Sequence, residues 1–316
     1  MQQDLAAVRT LTKDDRSPVT VADFASQALV TATLLERLGR DFEKAALVAE
    51  EDSSFLRRDE NASYRAAVLR AMKAAGRDVD EATMLRWIDR GAGEPGVESF
   101  WTLDPIDGTK GFLRGEQYAI ALAWIDHGVP AVGVLACPNL PLDREASLSH
   151  ADEVGSVYVA VRGSGVEQSA CLLSVSDARR KLEPLGPVGT RRLVACASVE
   201  KAHSSVSDTE RVLERMGADP EVVRVDSSAK YALVARGQAD AYLRLPTRKD
   251  YVERIWDHAA GTVVATEVGA VVSDIFGHPL DFRHGRGLEK NKGVIVTRAD
   301  VHPRIVQTIA ELGIGG

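Results

Sequence analysis

Apolar residues recur at helical spacing over residues 21–38, with Thr20 placed to cap the first turn. The short run AALVA at 45–49 reads instead as a buried strand. Helical stretches follow near 63–75 and 80–89, then the loop GAGEPG at 91–96, and ESFWTL at 98–103 reads as a second buried strand. Residues 118–125 and 129–135 flank Asp126, His127 and Gly128, which predicts a hairpin, and 154–161 predicts a further strand turning at 162–165. Past about residue 185 strands and helices alternate. Strands are expected at 192–197, 221–225, 240–245, 270–273 and 293–297, and helices at 206–216, 229–236, 262–268 and 301–312. Alternation of this kind predicts an α/β layer packed against a first, more antiparallel layer. The fold class is therefore α/β in the broad sense (α+β), with an α+β half over 1–185 and an α/β half over 186–316. The sequence shows no internal repeat and no low-complexity segment.

Composition narrows the partners. A chain of 316 residues, 45% apolar and 27% charged, can bury a sizeable core and is ordinary for a globular protein. No apolar segment approaches the length of a membrane span, and the opening MQQD lacks a signal-peptide core. This predicts no membrane partner and a cytoplasmic location, unless an organelle targeting segment has been removed. Cys137, Cys171 and Cys196 have no metal-ligand spacing and leave an odd thiol, so free thiols in a reducing compartment are expected, with a regulatory disulfide left open. The net charge of −7 argues against a nucleic-acid polymer as partner. An acidic protein that handles a phosphorylated ligand must supply positive potential locally, from metal ions and a few Lys or Arg side chains.

The candidate chemistry lies in WTLDPIDGT at 101–109. Asp104 and Asp107 flank Pro105, which fixes its own φ and pushes Asp104 towards an extended conformation. Gly108 permits a backbone path that a side chain would obstruct. Two oxygen ligands held on such a turn suit a hard divalent cation such as Mg²⁺. Alone, Asp-x-x-Asp-Gly reads as well as a solvated turn. Two further acidic sites change that balance. Glu50, Glu51 and Asp52 would emerge at the carboxyl end of the 45–49 strand, where ligands of open α/β sheets tend to bind, and Asp257 would sit near a helix N-terminus. A charged loop and a helix cap are the plainer accounts of each taken singly.

In combination these residues resemble the magnesium-dependent, lithium-sensitive phosphatases of the inositol monophosphatase superfamily, whose DPIDGT motif is coupled to an upstream Glu-Glu and a distant Trp-Asp. The narrower resemblance is to the 3'(2'),5'-bisphosphate nucleotidases. It is carried by SPVTVAD at 17–23, Ser26-Gln27, DGTKGFLRGEQ at 107–117, GVLACPNL at 133–140, SVEKAHSS at 198–205, DSSAKY at 226–231, YLRLP at 242–246 and IWDH at 255–258. Phe24 stands where a tyrosine is common, and Val206 where a second histidine is common.

The resemblance implies a layered αβαβα fold of the inositol-monophosphatase and fructose-bisphosphatase kind, with the metal site between the two halves. It implies two or three Mg²⁺ ions. Glu50, Asp104 and the Ile106 carbonyl would hold one, and Asp104, Asp107 and Asp257 a second, with a third held through Glu50 and waters. Asp23 and Thr109 would activate the attacking water, since a threonine hydroxyl is a poor base unless a carboxylate accepts its proton. The backbone N–H groups of Gly108 and Thr109 would meet phosphate oxygens. His203, Ser204, Ser227, Lys230 and Arg244 would line the nucleotide pocket; surface charge is the lesser reading of Lys230 and Arg244, and Asp226 reads as readily as a structural acid as a functional one. The implied substrate is a small phosphorylated nucleotide, adenosine 3',5'-bisphosphate, cleaved to AMP and phosphate, with 3'-phosphoadenylyl sulfate as a relative, by a monomer. Two alternatives are an inositol phosphate phosphatase on the same scaffold and a nucleotide sensor without turnover.

Overall fold

The structure is a computed structural model that describes residues 10–12, 18–96, 98–148, 151–171, 179–199, 206–217, 221–246, 248 and 250–315. The first described elements are an antiparallel ribbon, β1 (Thr10–Thr12) and β2 (Pro18–Thr20), which leads directly into α1 (Val21–Leu38). Then come α2 (Arg40–Lys44), β3 (Ala46–Ala49), α3 (Ala62–Ala74), α4 (Glu81–Asp89), β4 (Phe100–Asp107) and α5 (Thr109–Arg114). With β5 (Ala119–Asp126), β6 (Val129–Cys137), β7 (Ser156–Val161), β8 (Gly165–Ala170) and β9 (Arg180–Lys181), strands β3 to β9 form a seven-stranded sheet in sequence order. Only β3 and β4 pair in parallel there; every later neighbour is antiparallel. The second half supplies β10 (Val194–Ala197), α6 (Val206–Arg215), β11 (Glu221–Arg224), α7 (Ala229–Ala235), β12 (Ala241–Arg244), α8 (Ile255–Thr266), β13 (Ala270–Ser273), β14 (Val294–Arg298) and α9 (His302–Glu311). Its five strands run in the order β11-β10-β12-β14-β13.

The layers follow from which faces are apolar. Strand β5 alternates buried and half-buried positions, as a strand covered unequally on two sides must, whereas β14 is buried along its whole length. Helix α1 packs on β4 of the large sheet, and α3 and α4 pack against α1. Helix α8 packs on β4 to β7 across the other face and also meets β13, and α7 touches α8, β10, β12 and β14. Helices α6 and α9 close the outer face of the small sheet. The result is the expected αβαβα stack. Helix α8, at its centre, is buried nearly all round, through Ile255, Trp256, Ala259, Ala260, Val263 and Val264. Among the described residues no helix is long and apolar enough to cross a membrane.

The sequence reading did not anticipate β1, β2, α2, β8 or β9, and three further departures shape the site. Strand β4 does not end before the DPID motif but runs through it to Asp107, so the turn is deferred to Gly108. Pro105 is tolerated because the pairing with β5 shifts register between Asp104 and Asp107, and its carbonyl accepts a 2.9 Å hydrogen bond from Ser26 Oγ. Helix α8 begins at Ile255 rather than 262, which puts Asp257 in its first turn. The short helix α5, with glycines on both sides and one inside, carried no periodic signal.

The centre of the stack is packed without slack. A Cβ added at Gly261 of α8 would lie 2.3 Å from the ring of Tyr231. That ring is 1% exposed and anchored by a 2.8 Å hydrogen bond to His258, so it has no easy retreat. Gly261→Ala is therefore expected to destabilise the fold by about 1–3 kcal/mol in spite of alanine's better helix propensity. Urea unfolding measures this, and an unchanged or raised midpoint would show that α7 and α8 can separate freely.

Candidate active site

The site forms where the carboxyl ends of β3 and β4 meet the starts of α1, α5, α7 and α8. Asp23 is the N3 residue of α1 in a capping box with Thr20. Its Oδ2 accepts the Thr20 N–H at 2.8 Å and the Thr20 hydroxyl at 2.7 Å, while Thr20 Oγ1 accepts the Ala22 N–H at 3.0 Å. The other oxygen, Oδ1, lies 3.4 Å from the hydroxyl of Thr109, which also reaches the Ile106 carbonyl at 3.2 Å. A cap motif thus aims one carboxylate oxygen at a hydroxyl 86 residues away.

Asp104 is 2% exposed, and its Oδ1 accepts the Ile106 N–H at 3.1 Å. Burial raises its carboxyl well above the usual range, and the negative charges of Glu50, Asp107, Asp257 and Asp23 push it in the same direction. Asp257 is likewise held well above its ordinary value by burial; Arg244 opposes this, and Asp107, Glu50 and Glu253 reinforce it. The structure therefore brings together Asp23, Glu50, Asp104, Asp107, Thr109 and Asp257, six residues drawn from four separate stretches of sequence. Asp107 also accepts the Ser228 N–H at the entry to α7. Gly108 is needed at this junction: its φ is +84°, and a Cβ there would lie 2.9 Å from Ser227 Cβ. Ser227 itself has φ +68°, a left-handed conformation that is costly for a serine.

On the other side stand the basic residues. Lys230 is 2% exposed, donates to the Val225 carbonyl at 3.1 Å and lies 5.2 Å from the centroid of the Tyr242 ring. Burial brings its ammonium down to about 8, against the attraction of Asp107 and Asp226. Arg244 does not point to solvent. Its side chain, 11% exposed, lies 2.7 Å from Glu253 Oε2, 3.3 Å from the Tyr251 hydroxyl and 3.5 Å from Asp257 Oδ2. Asp226 is ion-paired with Arg114, which supports the structural account of it. His203 and Ser204 lie outside the described residues.

Sequence reasoning missed the chain of groups behind Asp257. Glu253, Asp257 and His258 have ligand atoms all within 4.8 Å of one another. His258 Nε2 faces Glu253 Oε2 at 3.2 Å and its Nδ1 faces the Tyr231 hydroxyl at 2.8 Å. These partners assign the tautomer with Nε2–H donating to Glu253 and Tyr231 O–H donating to Nδ1. The signal was present as Glu-x-x-x-Asp-His at 253–258, but the partners Tyr231 and Arg244 come from other elements.

Residues 2–312 match the inositol monophosphatase family, and the chain belongs to that family. Membership makes it a phosphatase. Its curated relatives include a 3'(2'),5'-bisphosphate nucleotidase of Emericella nidulans, 39% identical over 96% of this chain and 90% of the relative. Another, from Oryza sativa, is 39% identical over 98% of this chain and 88% of its own length. Staphylococcal inositol monophosphatase-1 in an inhibitory complex soaked in LiCl shares the fold, with a TM-score of 0.62 at 18% identity over 99% of this chain and 90% of that one. So does an IMPase/NADP phosphatase complexed with Mg²⁺ and phosphate, with a TM-score of 0.60 at 18% identity over 97% and 88%.

The Arg244–Glu253–His258 network has a pH signature. Burial alone would raise the Glu253 carboxyl, but Arg244 and His258 bring it down to about 2 from an ordinary 4.5. A depressed carboxyl stabilises the fold above its unfolded value and loses that contribution as pH falls from about 4.5 towards about 2. A depression of this size corresponds to about 3 kcal/mol. Glu253→Gln should therefore lower stability at neutral pH by a few kcal/mol and flatten the decline between about pH 5 and pH 2. Denaturant titrations across that range, run on both proteins, decide it; parallel curves would remove Glu253 from the acid limb.

Proposed function

We propose that this chain hydrolyses the 3'-phosphate of adenosine 3',5'-bisphosphate to AMP and phosphate, with 3'-phosphoadenylyl sulfate as a further substrate and Mg²⁺ as cofactor. One observation carries the reading. A buried carboxylate, Asp104, sits within the field of four others, while buried Lys230 and largely enclosed Arg244 adjoin the same acids. A site that had to bind one phosphate through cations and a second through basic side chains would need this division. The name shared by relatives nearly 40% identical over almost the whole chain agrees with it.

The residues present fit a hard dication. Asp104 cannot hold its charge among those neighbours without a positive partner, and all the donors are oxygens. Glu50, Asp104, Asp107, Asp257 and the Ile106 carbonyl would hold the ions; two are expected, with a third through Glu50. When bound, Mg²⁺ neutralises phosphate charge, lowers the pKa of water and stabilises the leaving oxygen.

The rest of the reaction belongs to the chain. Thr20 fixes Asp23 through Oδ2 and leaves Oδ1 to Thr109. Thr109 donates towards Asp23, so the lone pairs of its hydroxyl are turned to accept a proton from the attacking water. The Gly108 and Thr109 N–H groups would face phosphate oxygens at the start of α5. Lys230 and Arg244, with Ser227, His203 and Ser204, would take the second phosphate and the adenosine. In this assignment residues 1–185 supply most of the ion ligands, and 186–316 supply the nucleotide pocket and Asp257. The enzyme would work as a cytoplasmic monomer.

Phosphate release at equal concentrations of adenosine 3',5'-bisphosphate and inositol 1-phosphate, with Mg²⁺ and with or without Li⁺, tests this directly. The reading expects strong preference for the nucleotide and loss of turnover with Li⁺. Preference for the inositol ester would discard the roles of Lys230 and Arg244, and binding without release would make the chain a sensor.

A further inference from the structure

Arg286 lies outside every motif quoted above, on the segment after β13, yet it touches both the end of β3, which leads into Glu50, and the start of α8, which carries Asp257. Its Nη2 donates to the carbonyl of Ala49, the residue before Glu50, and its Nη1 donates to Gly93 O at 3.2 Å. Those two carbonyls belong to paired segments: Ala49 N–H bonds Gly91 O at 2.8 Å and Gly93 N–H bonds Leu47 O at 3.0 Å. The guanidinium therefore closes the carboxyl end of β3 from the side. Its Cζ also stands 4.9 Å from the centroid of the Trp256 ring, the residue before Asp257.

The backbone of the same residue works on α8. Arg286 O accepts the Ile255 N–H at 3.2 Å, and Leu288 N–H reaches Glu253 O at 2.8 Å, with Arg254 and Gly287 paired as an antiparallel bridge. Segment 286–288 thus grips the start of α8 through its backbone and the end of β3 through its side chain. The side-chain link spans 237 residues of sequence. Glu50 and Asp257 repel each other, so the end of β3 and the start of α8 tend to separate. A planar fork with two donors and a ring-stacking face is suited to hold them, where a lysine would supply one point contact.

We infer that Arg286 is a positioning residue that sets the separation of Glu50 from Asp257 and so tunes affinity for the divalent cation. The inference rests on the ion ligands proposed above. Removing groups that orient metal ligands from behind lowers metal affinity by about ten- to a hundred-fold.

The test compares the full-length wild type with Arg286→Met, which keeps the apolar stem, and Arg286→Lys. Mn²⁺ binding is read by electron paramagnetic resonance, and activity is followed against Mg²⁺ concentration. The expected result is a rise of about ten-fold or more in the Mn²⁺ dissociation constant and in the Mg²⁺ needed for half-maximal rate in Arg286→Met. Turnover at saturating Mg²⁺ should fall by less than about three-fold, and Arg286→Lys should lie between the two. Unchanged metal constants in either folded variant would overturn the inference, as would an equal loss of rate at every Mg²⁺ concentration. If Arg286→Met does not fold, the shift in Arg286→Lys alone decides. A wild type that binds no Mn²⁺ would remove the ion-site reading itself, an outcome visible without any variant.

Discussion

Mutual repulsion among carboxylates is the constraint around which this molecule is arranged. Glu50, Asp104, Asp107 and Asp257, with Asp23 close by, are forced into one partly buried volume, and Asp104 at its centre is 2% exposed. Left to electrostatics and solvation, these groups would separate or protonate. They are kept together because each is fixed by an element that other forces determine. Asp23 is fixed by a helix cap, Asp104 and Asp107 by a strand buried in a seven-stranded sheet, and Asp257 by the first turn of a helix sealed between two sheets.

The basic groups complete the arrangement without quenching it. Arg244 is shared between Glu253 and Asp257, so only part of its charge reaches the acidic centre. Lys230 stands over Tyr242 with a carbonyl partner, its charged form weakened by burial. Neither replaces a hard cation among the carboxylates, because Arg244 is engaged by Glu253 and Tyr251 as well as Asp257, and Lys230 donates to the Val225 carbonyl. Both are suited to a second anionic group next to the first.

How much of this was legible in the sequence depended on the range of the interactions. Helices α1, α3 and α4, the β5–β6 hairpin and the alternation of the second half follow from local periodicity and appear where it placed them. The DPIDGT motif gave the acids, because residues within a few positions of one another can be reasoned about as a single turn. What local patterning missed was set at a distance. Strand β4 continues through Pro105 because its pairing with β5 shifts register there, and Ser26, 79 residues away, satisfies the Pro105 carbonyl. Helix α8 starts early because Trp256, Ala259 and Ala260 are buried against other elements. Arg244, alternating within a short strand, could have faced solvent; Glu253 and Asp257 decide otherwise. The partners of Glu253 and His258 could not be read from spacing at all.

If the charge of Asp104 destabilises the folded chain and a divalent cation reverses this, thermal unfolding at neutral pH of wild type and Asp104→Asn, with and without Mg²⁺, will show it. Asparagine keeps an oxygen for the Ile106 N–H and removes the charge. The metal-free variant is expected to unfold at a higher temperature than the metal-free wild type, and Mg²⁺ to raise the midpoint of the wild type but not of the variant. A variant less stable than wild type without metal, or one that gains as much from Mg²⁺, would contradict it.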